Sequence, residues 1–183
     1  MQKRMFNNKV GLTNAVLKGY KGVTRDIIED WKVLEYNVDF ILDEQSKEEI
    51  IERFARYKVG EIVAIAQPYK DIISQLADRQ KEYVIGFYSN SAGWTNKMFV
   101  RADLMPNKIE ITDVKVERLQ EITGDEILKE GVWYDEKIDR FMVKDKGFFL
   151  AKSAFQYIID KVSGKGTWER NPYVFAYSFK LVK

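Results

Sequence analysis

The sequence predicts an α+β fold: a small, mostly antiparallel β-barrel with flanking helices. Three observations carry this. Tyr173 to Val182 alternates cleanly, placing Phe175, Tyr177, Phe179 and Leu181 on one face of a strand. Glu61-Ile62-Val63-Ala64-Ile65-Ala66 follows Gly60 and is apolar enough for a buried strand. The strand signals are short and mostly not separated by crossover helices, which favours a small barrel over a doubly wound sheet.

The other elements follow in order. Thr13 precedes Asn14-Ala15-Val16-Leu17-Lys18 as a helix start, and Gly19 stands where a left-handed residue ends the turn. Ser46-Lys47-Glu48-Glu49 reads as a capping box opening an amphipathic run through Ala55. Residues 68–97 are the least patterned and read as an insertion. They hold a short helix over Asp71 to Ala77, a strand-like Tyr83-Val84-Ile85-Gly86-Phe87-Tyr88 and the loop Ser89-Asn90-Ser91-Ala92-Gly93. Trp94 there either lids a cleft or packs. Ile109, Ile111, Val114 and Val116 mark an extended stretch with a break near Thr112-Asp113. Thr123-Gly124-Asp125-Glu126 is a second capping box, closed by Gly131. Ala151, Ala154, Phe155, Ile158 and Ile159 form a helical stripe over 151–161. Three prolines and eleven glycines leave no linker, and no internal repeat is present, so residues 1–183 read as one domain.

Composition excludes whole classes of chemistry. Hydrophobic residues make up 45% and charged residues 32% of the 183, a globular profile. No apolar run approaches the roughly 20 residues of a spanning helix, so no membrane partner is expected. The opening Met1-Gln2-Lys3-Arg4-Met5-Phe6-Asn7-Asn8 lacks a signal-peptide core, and export is not expected. Cysteine and histidine are both absent. That removes disulfides, thiolate nucleophiles, Cys or His zinc sites and any Ser-His-Asp triad, and it fits a reducing cytoplasm. Net charge is +2, but it is unevenly placed. Residues 1–25 carry +6 and residues 161–183 carry +4, which leaves −8 for the segment between. If the termini meet they make a basic face, either a polyanion footprint or two solvated ends.

Familiar motifs fail. Gly164-Lys165-Gly166-Thr167 lacks the spacing of a phosphate loop and reads as a turn. Asp43-Glu44 and Asp135-Glu136 read as solvated pairs, so no metal site and no cofactor is expected. Gly19-Tyr20-Lys21-Gly22-Val23-Thr24-Arg25 is more informative. In extended chain Lys21 and Arg25 point the same way, with Val23 between them. The segment is either a surface turn or a grip for a phosphate or base edge, and Lys21 beside Thr24 is a nucleophile pair if burial lowers the lysine pKa. The run Gly164 to Tyr173 also mixes chemistries. Trp168 and Tyr173 offer stacking faces and Lys165 and Arg170 phosphate contacts, or Trp168 packs the loop and Asn171 caps a turn.

These segments resemble, in order, the ASCH (activating-signal-cointegrator homology) family, a branch of the PUA-like barrels. Gly19, Lys21, Thr24 and Arg25 match its G-x-K-x-x-T-R motif; Tyr57-Lys58-Val59-Gly60-Glu61 matches its turn into a core strand. Ile111 to Thr123, then Glu130-Gly131, match its next strand and helix, and Gly164 to Trp168 with Asn171 to Phe175 its closing loop and strand. This longer version is similar to the bacterial and phage-associated branch. The resemblance implies a cleft beside the G-x-K-x-x-T-R segment and work on RNA or modified nucleosides. Some small relatives are amidohydrolases of acylated cytidine that use the motif Lys and Thr with a Glu. Lys21 and Thr24 carry over as catalytic residues if the chain is an enzyme, but the Glu position falls on Gln67, and Asp26 replaces a second Arg. Gln cannot serve as a general base, so weight moves from catalysis to binding. The expectation is an RNA- or nucleotide-binding protein. Lys21, Arg25, Lys165 and Arg170 would line its basic side, Thr24, Gln67 and Asn171 would give polar contacts, and Trp168 or Tyr173 would stack. A hydrolase of an acylated nucleoside such as N4-acetylcytidine, or a ribonuclease, is the alternative, and a protein-interaction module the third.

Overall fold

The computed structural model describes residues 1–182; Lys183, counted above in the C-terminal charge, lies outside them. The elements run β1 (Lys3–Arg4), α1 (Leu12–Leu17), β2 (Val23–Ile27), α2 (Asp30–Leu34), α3 (Glu44–Phe54), β3 (Ile62–Ile65), α4 (Tyr69–Ile72), α5 (Asp78–Tyr88), β4 (Lys108–Arg118), α6 (Gly124–Lys129), β5 (Trp133–Asp135), β6 (Arg140–Val143), β7 (Lys146–Phe148), α7 (Ala151–Ser163), α8 (Thr167–Arg170) and β8 (Tyr173–Val182). The class is α+β. A five-stranded sheet has the order β1-β3-β4-β8-β2, and β5-β6-β7 form a small antiparallel sheet. In the large sheet only β1 on β3 is parallel.

The alternating strand β8 lies between β4 and β2, and its first five residues are buried on both faces. The break expected near Thr112-Asp113 is a register shift between Ile111 and Asp113, so an eleven-residue strand bends there. The large sheet is not a closed barrel. Its edge strands β1 and β2 share no backbone ladder, because β1 is only two residues long and is spent pairing with β3. Side chains span the gap instead. Arg4 on β1 bonds both oxygens of Asp26 and, at 3.1 Å, Thr24 Oγ1 on β2.

Local capping chemistry is partly as read. Thr123 and Glu126 make both halves of a capping box, at 3.3 and 3.0 Å. Asp43, not Ser46, caps α3 by accepting from the Ser46 N–H at 2.8 Å. Thr13 lies inside α1 behind Gly11, and its hydroxyl donates to Phe6 O at 3.0 Å. The strand-like residues 83–88 are the second half of α5. Arg79-Gln80-Lys81-Glu82, good helix formers behind Asp78 in the first turn, feed them, and they meet no sheet edge. Gly131, at φ +95°, sits where a Cβ would come within 3.1 Å of Leu12 and 3.3 Å of Ala15.

The main core joins one face of the sheet to α7 through Phe155, Ile158 and Ile159. A second cluster of Ala64, Ala66, Tyr69, Ile72, Val84, Val100 and Met105 covers the other face of β3, and Trp94 packs on it. The region 68–97 is therefore anchored by its own small core. Buried Tyr177 accepts the Arg56 N–H at 2.9 Å, and burial pushes its hydroxyl up to about 12. An unfolded tyrosine titrates near 10, so this stabilisation is complete below that pH and lost as pH rises through about 12. Urea titrations between these values should show stability falling by about 2–3 kcal/mol from this residue. Tyr177→Phe should remove that part of the fall and leave the part due to Tyr57 and Tyr69, both also raised by burial.

Candidate functional site

Gly19, at φ +79°, turns the chain out of α1, and the N–H groups of Tyr20 and Lys21 both donate to Ala15 O. Gly22 then bridges two elements: its N–H donates to Lys129 O and its carbonyl accepts from Phe179 N, each at 2.8 Å. This pins the Gly19-to-Gly22 turn between α6 and β8 and launches β2. Strand alternation sends Thr24 and Asp26 to one side and Arg25 to the other. Lys21 and Arg25 do point the same way, because both reach Glu130.

The Glu130 contact decides the electrostatics. Lys21 Nζ bonds Glu130 Oε2 and, at 3.1 Å, the Glu130 carbonyl. Arg25 bonds Glu130 Oε1 at 2.6 Å, Glu117 Oε1 at 2.5 and 3.0 Å, and Glu126 Oε2 at 3.4 Å. Lys21 and Glu130 are 3% exposed and Arg25 7%. Two cations thus face three carboxylates, and the network carries −1. Complete burial lowers the Lys21 pKa, and the Glu130 carboxylate opposes that shift without cancelling it. Partial burial works to raise the Glu126 carboxyl, but the Thr123 N–H and the Arg25 charge outweigh it and hold it low. The motif cations, expected on the basic side of a cleft, are therefore satisfied internally by carboxylates. The physical reason is that an unpaired ammonium or guanidinium at this depth would be prohibitively costly.

A cleft of about 490 Å³ nevertheless opens beside the motif, between the facing edges of β1 and β2. Lys21 and Arg25 lie in its floor, with Thr24. Ile158, Ile159 and Val162 of α7 make an apolar wall, while Lys3, Arg4, Asp26 and Arg56 make the polar one. Lys3 Nζ is steadied by Met98 O at 2.7 Å and Val100 O at 2.6 Å. The cations lining the cleft outside that network are thus exposed Arg56 and half-buried Lys3 and Arg4, facing one carboxylate. Lys3, Arg4, Arg56 and Glu130 escaped sequence reading. The only trace of the first two was the acid-free charge of residues 1–25.

The other expected residues lie elsewhere. Gln67 is buried at a separate cavity of about 440 Å³ with Asn8, Thr13, Asn14 and Gln75, and accepts from Asn107 Nδ2 at 2.9 Å. Trp168 meets Phe155 edge to face at 5.9 Å, so its ring is packing. Asn171 caps α8 at φ +46°, and its Oδ1 accepts from Gln120 N at 2.8 Å. The Tyr173 hydroxyl accepts from Leu42 N, and the Arg118 guanidinium lies 4.0 Å from its ring. Arg170 shares a hollow with Tyr173, and Lys165 lines a groove on the outer side of α7. None of these six residues lines the motif cleft. Among the described residues no acidic group of three or more is placed to hold a metal ion, and no helix is long and apolar enough to cross a membrane. No protein-family model, curated protein or solved structure matches this chain.

Proposed function

We propose that this chain is an RNA- or nucleotide-binding protein of the ASCH type, acting in the cytoplasm, and that its large sheet is a PUA-like barrel left open at the β1–β2 seam. The observation that carries the reading is the two-sided cleft beside the G-x-K-x-x-T-R segment. Its about 490 Å³ falls in the ordinary range for small-ligand sites. The apolar α7 wall suits the face of a base, and Lys3, Arg4 and Arg56 suit a phosphate. The Thr24 hydroxyl adds a polar contact in the floor. The buried network holds this geometry rather than meeting the ligand's charge.

Fluorescence anisotropy with cytidine monophosphate and with a short single-stranded RNA tests this at two ionic strengths. Binding should weaken as salt rises, for the RNA by about 0.7 in log–log slope for each phosphate neutralised. Absence of binding at low salt, or binding indifferent to salt, contradicts the proposal.

One observation favours a second reading. The carboxylate missing at Gln67 is supplied to Lys21 by Glu130, beside a threonine in the same cleft. This pairing supports a hydrolase of an acylated nucleoside as the second reading. Turnover of N4-acetylcytidine that disappears in a folded Thr24→Val variant would establish it; no turnover removes it.

A further inference from the structure

The motif cations are neutralised in place and Lys3, Arg4 and Arg56 serve the one phosphate seated in the cleft, so the following phosphates of an RNA chain need contacts beyond it. We propose that the lysine-ringed groove around Tyr157, on the outer side of α7, is that phosphate-backbone surface. This rests on the RNA-binding reading and adds a second site to it.

Two hollows of about 440 and 240 Å³ meet at Tyr157. Lys161 and Lys165 line one, and Lys9, Lys144 and Lys146 the other. All five lysines are exposed. Only Asp145 and Asp160 oppose them, giving +3. Asp160 is already engaged, accepting the Trp168 N–H at 3.2 Å, and Asp145 lies 3.9 Å from Lys144. Among the described residues Lys9, Lys146, Lys161 and Lys165 have no carboxylate within 4.0 Å. These charges come from three separate parts of the chain: the loop before α1, the β6–β7 turn and the end of α7.

Two details argue for a built surface. The ammonium of Lys146 lies 4.4 Å from the Tyr157 ring centre and 5.4 Å from that of Phe148, and that of Lys161 lies 5.8 Å from Tyr157. Cations interleaved with rings are the pattern of single-strand binding. At the tip of the β6–β7 turn, Lys144 adopts φ +53°, a conformation that Gly or Asn takes far more readily. A lysine stands there regardless, packed so close to Gly11 that a Cβ added at Gly11 would lie 3.4 Å from the Lys144 Cβ.

Position links this groove to the cleft. Asn7 lines the cleft and Lys9 lines the groove. Two residues of chain reach at most about 7 Å, the length of about two stacked nucleotides. A strand seated by one nucleotide in the cleft can lay its following phosphates over Lys9 and the ring of lysines. This proximity favours RNA over an acidic protein or an anionic membrane as the partner.

The test compares the wild type with Lys146→Gln/Lys161→Gln/Lys165→Gln, all exposed positions, using an RNA of about ten nucleotides and, separately, cytidine monophosphate. The triple variant should bind the RNA at least about tenfold more weakly at low salt, with the log–log salt slope reduced by about 2. Its mononucleotide affinity and melting temperature should be unchanged. If the wild type binds neither probe, the functional reading fails and this inference with it. If the wild type binds RNA and the variant binds equally well with the same slope, only the lysine surface is refuted. Loss of binding to phosphatidylserine vesicles with RNA affinity intact would assign the groove to a membrane and overturn the inference.

Discussion

Glu130→Ala is expected to destabilise the fold by about 3–5 kcal/mol, the cost of removing one partner from a buried ion pair. Lys21 would keep only the Glu130 carbonyl, while Arg25 would retain Glu117 and Glu126. For a chain of this size the melting temperature should drop by about 6–20 °C. The effect has a pH signature. Burial already lowers the Lys21 pKa, and removing Glu130 takes away the charge that opposes the shift. A lysine with a lowered folded pKa binds fewer protons in the native state than in the unfolded chain. Stability must therefore rise with pH up to the unfolded value of 10.5, and more steeply in the variant. Replacing both partners, in Lys21→Met/Glu130→Gln, should recover at least half of the loss. Urea denaturation of the three proteins at several pH values reads all of this. A cost below about 1 kcal/mol would mean that the pair is solvated and the network is not a buried one.

Arg4→Ala carries the second large effect, on binding rather than on stability. Arg4 spans the seam between the sheet edges, and its two terminal nitrogens reach Asp26 and Thr24. Asp26 is 30% exposed, so water can take over its solvation when Arg4 is lost. The stability cost should stay at about 1–2 kcal/mol. The ligand loses more. Without Arg4 the polar wall keeps Lys3 and Arg56 against an unpaired Asp26, and the local charge falls from +2 to +1 beside a carboxylate that repels phosphate. Nucleotide affinity should drop at least about tenfold, and Arg4→Lys should restore only part of it, since a point charge cannot bridge two partners as a guanidinium does. Equal affinity in Arg4→Ala and wild type would move the ligand out of the seam.

Legibility in the sequence followed the range of the interaction. The β8 alternation, the Thr123–Glu126 box, the α7 stripe and the bulge at Thr112-Asp113 are written within ten or so consecutive residues, and each was readable. The seam was not, because nothing local reveals that a two-residue strand is spent on β3. Glu130 lies 109 residues from Lys21, and no periodicity joins them. The lysine is marked by its motif and its burial is among the readings the sequence leaves open, but its partner is invisible there. For Trp168 the sequence left stacking and packing both open, and the structure shows packing with Asn171 capping the turn, while the Tyr173 hydroxyl is engaged by Leu42. An aromatic in a basic loop looks the same in sequence whether it faces solvent or, as here, Phe155 and Leu42. Residues 83–88 show propensity overruled by context: side chains suited to a strand had no edge to join, and the helix begun at Asp78 continued through them.

The central claim is that the gap between the two edge strands is the seat of the ligand. Amide chemical shifts of the nitrogen-15-labelled protein, followed while cytidine monophosphate is added, test it most directly. Saturable shifts should concentrate in residues 3–7 and 23–27 and along the 158–163 side of α7. Saturation of the same binding curve with those segments unmoved would contradict it.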